Sequence, residues 1–321
     1  MNEPTGPRKV LVTGATGVVG RATVRMLVSS SVEVTGVTRA RYPKCPAEPH
    51  SRLIKADLAS LPDFLPPDHP FGACVHAAAV VHRPDASQEE MVRVNVEETL
   101  RLARALSGSR SFGRFVFVSS VAVSELEEGG LATPYAVSKS RAEQGLRSLA
   151  QRLGFHLTVV RLATVYGPGD RGNIGRLYRA IRNRRYVRVV PGSTLKSLVS
   201  SHVVGRALAS IATWTDIEVP DIVIVADRNP YTLQHIEHAL ARAAQQRSPP
   251  ALPPPLVHLI SFLATRLNGR VPSRLQRIVG PIATLGRASE RYPDLEVVPV
   301  QEALEAQPAS LQLAFAEAYG D

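Results

Sequence analysis

Lys9-Val10-Leu11-Val12-Thr13-Gly14-Ala15-Thr16-Gly17-Val18-Val19-Gly20 is the stretch on which the fold turns. A short apolar run ends in a glycine turn, and a helical pattern follows to about Val28. Gly14, Gly17 and Gly20 are spaced G-x-x-G-x-x-G, not the G-x-G-x-x-G of the common dinucleotide fingerprint. The physical logic is the same. Gly14 permits a sharp turn out of the strand, and Gly17 lets a pyrophosphate approach the backbone. Gly20 allows close packing of helix on sheet, and the helix N-terminus faces the phosphates. An ordinary tight turn has a similar composition. The strand before it and the helix after it favour a dinucleotide site, with Thr16, Val18 and Val19 lining the same turn.

Outward from this turn the pattern repeats. Val32 to Thr38, Arg52 to Ala56, Ala73 to His76, Arg114 to Ser120 and Leu157 to Leu162 read as further strands. Glu89 to Leu106 reads as a long helix, with Val92, Val96, Leu100 and Ala103 at helical spacing, and Tyr135 to Leu153 as another. Such alternation predicts an α/β fold with a doubly wound parallel sheet, the Rossmann fold, whose ligands sit at the carboxyl ends of the strands. The second strand ends in Thr38-Arg39-Ala40-Arg41, with no Asp or Glu to hold a ribose 2′-hydroxyl. Arg39 can instead pair with a 2′-phosphate, which favours NADP over NAD; a solvated loop arginine is the other reading.

Tyr135 and Lys139 are four residues apart and share a helix face. A lysine beside a phenol favours the phenolate and lowers its pKa, which makes a usable general acid for hydride chemistry. An exposed helical pair has the same spacing, so the glycine turn is what gives the pair meaning.

Thr13 to Gly20, Tyr135-x-x-x-Lys139 and Val165-Tyr166-Gly167-Pro168-Gly169 occur in that order. Together they resemble the extended short-chain dehydrogenase/reductases, the superfamily of nucleotide-sugar epimerases, dehydratases and 4-ketoreductases, over roughly residues 8–210. The stretches His76 to His82, Val94 to Thr99 and Tyr166 to Asn173 look closest to the bacterial nucleotide-sugar 4-epimerase/4-ketoreductase branch. The resemblance implies that Tyr135 is the acid/base and that Lys139 depresses its pKa and holds the nicotinamide ribose. Ser120 would hydrogen-bond the substrate oxygen, with Ser119 as the alternative. For the cofactor it implies Asp57 and Leu58 at the adenine, Ala77, Ala78 and Ala79 as a small-residue wall, and Asn95 as a brace. Leu162, Val165 and Tyr166 would lie near the nicotinamide. At the substrate end Asn173 opens a helix whose N-terminus suits a diphosphate, and Arg176 is among the arginines whose fork matches phosphate oxygens; the resemblance implies Lys196 at the nucleotide, and His82 is a sugar contact or a structural histidine. Departures fall on the substrate side: Leu162 replaces the usual proline after the sixth-strand arginine, and the stretch leading into Tyr135 is short.

Two domains are expected: a dinucleotide-binding core over 1–165 and a smaller, mainly helical substrate lobe over 166–321, with 195–227 returning to the core sheet. Ile222 to Ala226 reads as a late strand, and Tyr231 to Gln234 precedes a helix running to about Gln246. Leu256 to Ala264 is strongly apolar; it reads as a helix packed on the lobe or as one lying on a membrane surface.

The chain has 321 residues, of which 44% are hydrophobic, enough for a substantial core. Cys45 and Cys74 make neither a disulfide framework nor a metal site. With a polar, Pro-rich start and no run long enough to span a membrane, a reducing cytoplasm is expected. The formal charge of +10 is spread over many arginines, without zinc spacing or aromatic-interleaved basic patches. It fits a phosphorylated small molecule or an acidic membrane surface better than nucleic acid. The leading expectation is an NADP-dependent reductase of the 4-keto group of a nucleotide-diphosphate sugar, with a homodimer common among such relatives. The alternatives are a 4-epimerase using bound NAD, a reductase of a hydrophobic steroid- or flavonoid-like carbonyl, and a non-catalytic dinucleotide-binding scaffold.

Overall fold

The computed structural model describes residues 9–39, 50–81, 87–188, 193–214, 219–253 and 311–319. His82 and the apolar segment 256–264 lie outside the described residues. In chain order the elements begin with β1 (Lys9–Thr13), α1 (Val18–Ser29), β2 (Glu33–Thr38), β3 (Ser51–Lys55), β4 (Ala73–His76), α2 (Gln88–Val92) and α3 (Thr99–Leu106). Next come β5 (Arg114–Ser120), α4 (Val121–Glu127), α5 (Pro134–Leu153), β6 (His156–Leu162), β7 (Thr164–Tyr166) and α6 (Asn173–Arg182). The remainder is β8 (Leu195–Lys196), β9 (Leu198–Ser200), α7 (Ser201–Thr213), β10 (Ile222–Val225), β11 (Tyr231–Thr232), α8 (Leu233–Ala243) and α9 (Leu311–Tyr319).

A seven-stranded sheet runs in the order β10-β6-β5-β4-β1-β2-β3. Every pairing in it is parallel. This is the expected Rossmann-type sheet. Its strands are buried on both faces, so they read as continuous apolar runs such as Val10-Leu11-Val12. Helices α1 and α7 pack together, with Gly205 against the Ala22 backbone; a methyl at Gly205 would stand 2.7 Å from the Ala22 carbonyl oxygen. Helix α5 packs against α3 and the turn that precedes it. Leu102, Leu106, Phe115, Phe117, Ala142 and Leu146 fill a core with Leu11.

Two local features differ from the sequence reading. The long helix expected over 89–106 carries a π-turn at Arg93–Glu98 between α2 and α3. The wider turn accompanies the bonds of Asn95, which clamps the Val80 backbone from both sides: Asn95 Oδ1 accepts from Val80 N at 2.8 Å, and Nδ2 donates to Val80 O at 2.9 Å. The short stretch leading into Tyr135, for which the sequence reading placed no helix, begins with α4. Ser120 caps it by accepting from Ala122 N at 3.2 Å.

The chain divides into two units, the first built from residues up to Ala163 with Ser201–Val225. The second contains Thr164–Ser200, so β8 and β9 belong to it, while α7 and β10 belong to the first. Within the second unit β7 pairs with β9 in parallel and β8 with β11 antiparallel. Tyr166, Ile174, Leu177, Ile236, Leu240 and Phe315 form its core.

His76 is fully buried on β4, its ring nitrogens bonded to Thr13 Oγ1 at 2.8 Å and Thr99 Oγ1 at 2.9 Å. Burial, and secondarily the Lys139 charge, push it down to about 3. Its folded-state pKa lies below the ordinary 6.5, so the unfolded chain binds more protons between those values. Stability therefore falls as pH drops from about 6.5 toward 3, by up to about 1.4 kcal/mol per pH unit from this group. In urea unfolding at pH 4.5 and 6.5, His76→Gln should flatten that part of the slope; an unchanged slope would show that His76 is not its source.

Candidate active site

The parallel register brings the strand ends to one edge of the sheet. Thr13 pairs with Val37 and with His76, His76 with Phe117, and Ser120 with Leu162. The glycine turn, Arg39, Ala77–Ala79, Ser120 and Leu162 therefore follow or close strands at the same carboxyl edge of the first unit.

At the end of β1 the backbone takes φ +65° at Gly14, a left-handed conformation that favours glycine. A methyl there would also stand 2.8 Å from Ala78 N, so the turn rests directly on the Ala77–Ala78 backbone. Gly17 is exposed and precedes α1 in an extended conformation, with no side-chain cap and no acid in the first turn. An uncapped helix N-terminus of this kind leaves backbone donors and a positive dipole end for an anion. These features fit a dinucleotide pyrophosphate. Val18, Val19 and Ala77–Ala79 are half-buried around the turn, and Thr16 Oγ1 lies 2.9 Å from Thr38 Oγ1, tying the turn to the end of β2.

Arg39 is exposed just past β2, and Asp57 is exposed just past β3 with Oδ1 accepting from Ala59 N at 3.4 Å. Leu58 instead packs in the core. One acid nearby escaped the sequence reading. Glu98, 6% exposed on the π-turn, pairs with Arg93 and has an Oε2 without a hydrogen-bond partner. Burial raises its pKa, and both Asp57 and Arg39 act on it electrostatically. The stretch Val94-Asn95-Val96-Glu97-Glu98 gave no sign of this, because the π-turn decides which glutamate turns inward.

Thr133 caps α5 by accepting from Ala136 N at 3.1 Å, and Pro134 occupies its first turn, which starts the helix immediately before Tyr135. Tyr135 is half-buried against the core. Lys139 is 2% exposed; its Nζ donates to Val118 O at 2.8 Å and lies 4.5 Å from the centre of the Phe117 ring. Burial pulls Lys139 down to about 7 against the pull of the Glu143 carboxylate. The expected lowering of the Tyr135 pKa is not what this arrangement produces. Burial pushes the phenol up to about 12, and the ammonium is engaged with a strand carbonyl.

Ser120 Oγ accepts from Ala122 N, which leaves its proton to be directed elsewhere. Ser119, the alternative one residue earlier, is 3% exposed and donates to Glu143 Oε1 at 2.5 Å. Asn95 Nδ2 also donates to Ser138 Oγ at 3.0 Å, bracing α5 against the segment after β4. Leu162 is buried at the end of β6.

The remaining residues singled out from sequence lie in the second unit. Asn173 opens α6 and accepts from Arg176 Nη2 at 2.5 Å. Asp170 occupies the helix start, accepting from Gly172 N at 2.5 Å and Gly175 N at 2.7 Å. Lys196 is buried, Val165 is half-buried, and Tyr166 is 1% exposed, with its ring against Phe315 and its hydroxyl without a hydrogen-bond partner.

A dinucleotide-type glycine turn at the carboxyl edge of a parallel sheet, followed by a tyrosine–lysine pair on α5, is an arrangement of the short-chain dehydrogenase/reductase type. The pattern of the NAD dependent epimerase/dehydratase family matches residues 10–224, and the chain belongs to that family. It is 30% identical over 193 residues to a UDP-glucose 4-epimerase of Vibrio cholerae, covering 54% of this chain and 57% of that protein. To a dTDP-4-dehydro-6-deoxy-D-allose reductase of Streptomyces it is 28% identical over 193 residues, covering 51% and 57%. The match thus spans little more than half the length of either relative. Among solved structures it resembles MoeE5 in complex with UDP-glucose and NAD, with 28% identity, a TM-score of 0.64, and coverage of 76% of this chain and 85% of that one. Among the described residues no helix is long and apolar enough to cross a membrane.

A methyl at Gly20 would stand 2.2 Å from the Gly14 carbonyl oxygen. Gly20→Ala should therefore cost about 1–3 kcal/mol and weaken NAD(P) binding at least tenfold, because α1 must back away from the turn. Equilibrium unfolding and cofactor fluorescence titration check this; wild-type values in both would remove the glycine turn from the account.

Proposed function

We propose that the protein is an NADP-dependent oxidoreductase that reduces the 4-keto group of a nucleotide-diphosphate sugar, with Tyr135 as proton donor. The observation that carries this reading is the placement, within one unit, of the glycine turn after β1, Ser120 at the end of β5, and Tyr135 with Lys139 on α5. Tyr135 holds its proton at neutral pH, which suits donation to a developing alkoxide. Gly14, Gly17, Gly20 and the start of α1 would hold the pyrophosphate, and Asp57 the adenine amino group. Arg39 would pair with a 2′-phosphate, and Ala77–Ala79 would wall the cofactor. A bound nicotinamide supplies the hydride. Ser120 would orient the substrate carbonyl through its free proton while Tyr135 protonates the same oxygen. Lys139 would hold the nicotinamide ribose and supply positive charge beside the phenol.

A second reading is a 4-epimerase that retains NAD and runs the same site in both directions. The likeness to the Vibrio cholerae UDP-glucose 4-epimerase, and to a structure holding UDP-glucose and NAD, favours it. A thermal-shift screen with NADPH, NADH, UDP- and dTDP-sugars, followed by turnover, separates the two. Stoichiometric NADPH consumption supports the reductase, whereas interconversion of UDP-sugars without net redox change supports the epimerase.

Tyr135→Phe should lower kcat by roughly 10²–10⁴-fold and leave cofactor affinity within about twofold. Undiminished turnover would sink the role of Tyr135. Arg39→Ser should cost NADPH roughly 10- to 100-fold in Kd and leave NADH nearly unchanged, as loss of a charged hydrogen bond requires. Equal effects on both cofactors would contradict a 2′-phosphate partner.

A further inference from the structure

We infer that the buried Glu143–Arg161 pair is a positioning device, which registers the helix capped by Ser120 against the helix carrying Tyr135 and Lys139. The inference rests on the catalytic reading of those three residues and adds two that it does not contain.

Arg161 enters from β6 with its side chain 4% exposed. Its guanidinium forks onto Glu127 of α4, with Nη1 to Oε2 and Nη2 to Oε1 both 2.6 Å. It also donates to Glu143 of α5, from Nε to Oε1 at 3.1 Å and from Nη2 to Oε2 at 2.7 Å. A further bond, from Nη1 to Ser124 Oγ at 3.1 Å, returns to α4. Glu143 Oε1 takes the Ser119 hydroxyl from the last residues of β5, and Arg147 adds a second guanidinium to Oε2 at 3.2 Å. One planar group thus joins β6, α4 and α5, and its carboxylate partner joins β5. Ser120 sits at the start of α4, and Tyr135 and Lys139 lie on α5.

Packing alone does not call for this arrangement, because a buried ion pair is often replaceable by apolar side chains without loss of stability. Apolar side chains offer neither a rigid fork of five donors nor a negative charge one helical turn beyond Lys139. The charged and titratable groups that interact with Lys139 are Glu143 on α5 and His76 on β4, with Arg161 of β6 behind Glu143. Among them Glu143 alone supports the ammonium by opposite charge. Ser120, Tyr135 and Lys139 therefore sit on elements joined by one network, and Glu143 also acts on the Lys139 charge.

The chain has five lysines, so lysine-selective ¹³C NMR can follow Lys139, assigned with Lys139→Arg. Glu143→Gln should lower the Lys139 midpoint by about one unit. Arg161→Lys keeps the charge but loses the fork. With NADPH and a dTDP-4-keto-6-deoxy sugar as probes, it should lower kcat about tenfold, leave KM within about threefold and leave the Lys139 midpoint in place. The double variant Glu143→Leu/Arg161→Met keeps the volume without the charges and reads the effect if either single variant fails to fold. It should melt near the wild-type temperature while the Lys139 midpoint stays lowered and kcat stays depressed. A double variant that titrates and turns over as wild type would overturn the inference and make the pair purely structural. Undiminished turnover in Tyr135→Phe would instead sink the catalytic reading, and the NMR titration would still report on Glu143.

Discussion

An ammonium group buried at the heart of an α/β sheet is costly unless its charge and its protons are met. Lys139 is met from three sides. The Val118 carbonyl takes a hydrogen bond, the Phe117 ring lies beneath the charge, and Glu143 sits one turn further along the helix. Burial still prevails enough to hold the group near neutrality, at about 7. That balance places a second constraint on the neighbourhood: His76 must stay uncharged, and its two threonine partners let it do so without an unmet polar atom.

The same burial governs Tyr135. A phenol held protonated is a donor first, and it becomes a base only when positive charge arrives beside it. Reduction of a carbonyl uses the protonated form directly, whereas the opening step of an epimerase uses the deprotonated one. The balance between the two proposed activities therefore rests on how far the surroundings shift a single proton. Glu143 acts on the neighbouring Lys139 charge, and Arg161 hydrogen-bonds Glu143 from β6.

Much of the fold was legible because parallel strands buried on both faces are written as unbroken apolar runs. Lys9–Thr13, Ala73–His76 and Arg114–Ser120 fall where those runs lie. The glycine turn was legible for a steric reason: a methyl at Gly14 or Gly20 would collide with backbone, so the residue type reports the geometry. The π-turn and α4 were not legible. The first depends on Asn95 reaching Val80, fifteen residues away in sequence, and the second on a serine that also closes a strand. The network on Arg161 was invisible for the same reason. Its partners are 18, 34 and 37 residues distant and look, in sequence, like solvated charges on two helices. Of the two strand-end serines, the sequence favoured Ser120 and kept Ser119 as the alternative. The structure separates them, since Ser119 bonds Glu143 and Ser120 caps a helix with its proton still available.

A glycine turn, a strand-end serine and a helical Tyr–Lys pair form a hydride-transfer site only if hydrogen moves between nicotinamide and sugar. Incubation with [4-²H]NADPH and a dTDP- or UDP-4-keto-6-deoxy sugar, read by mass spectrometry and proton NMR of the sugar, measures that transfer directly. Deuterium at C4 of the sugar, one equivalent per NADPH consumed, is the result the account predicts. Absence of the label from every 4-keto nucleotide sugar offered, under conditions where the cofactor binds, would contradict it.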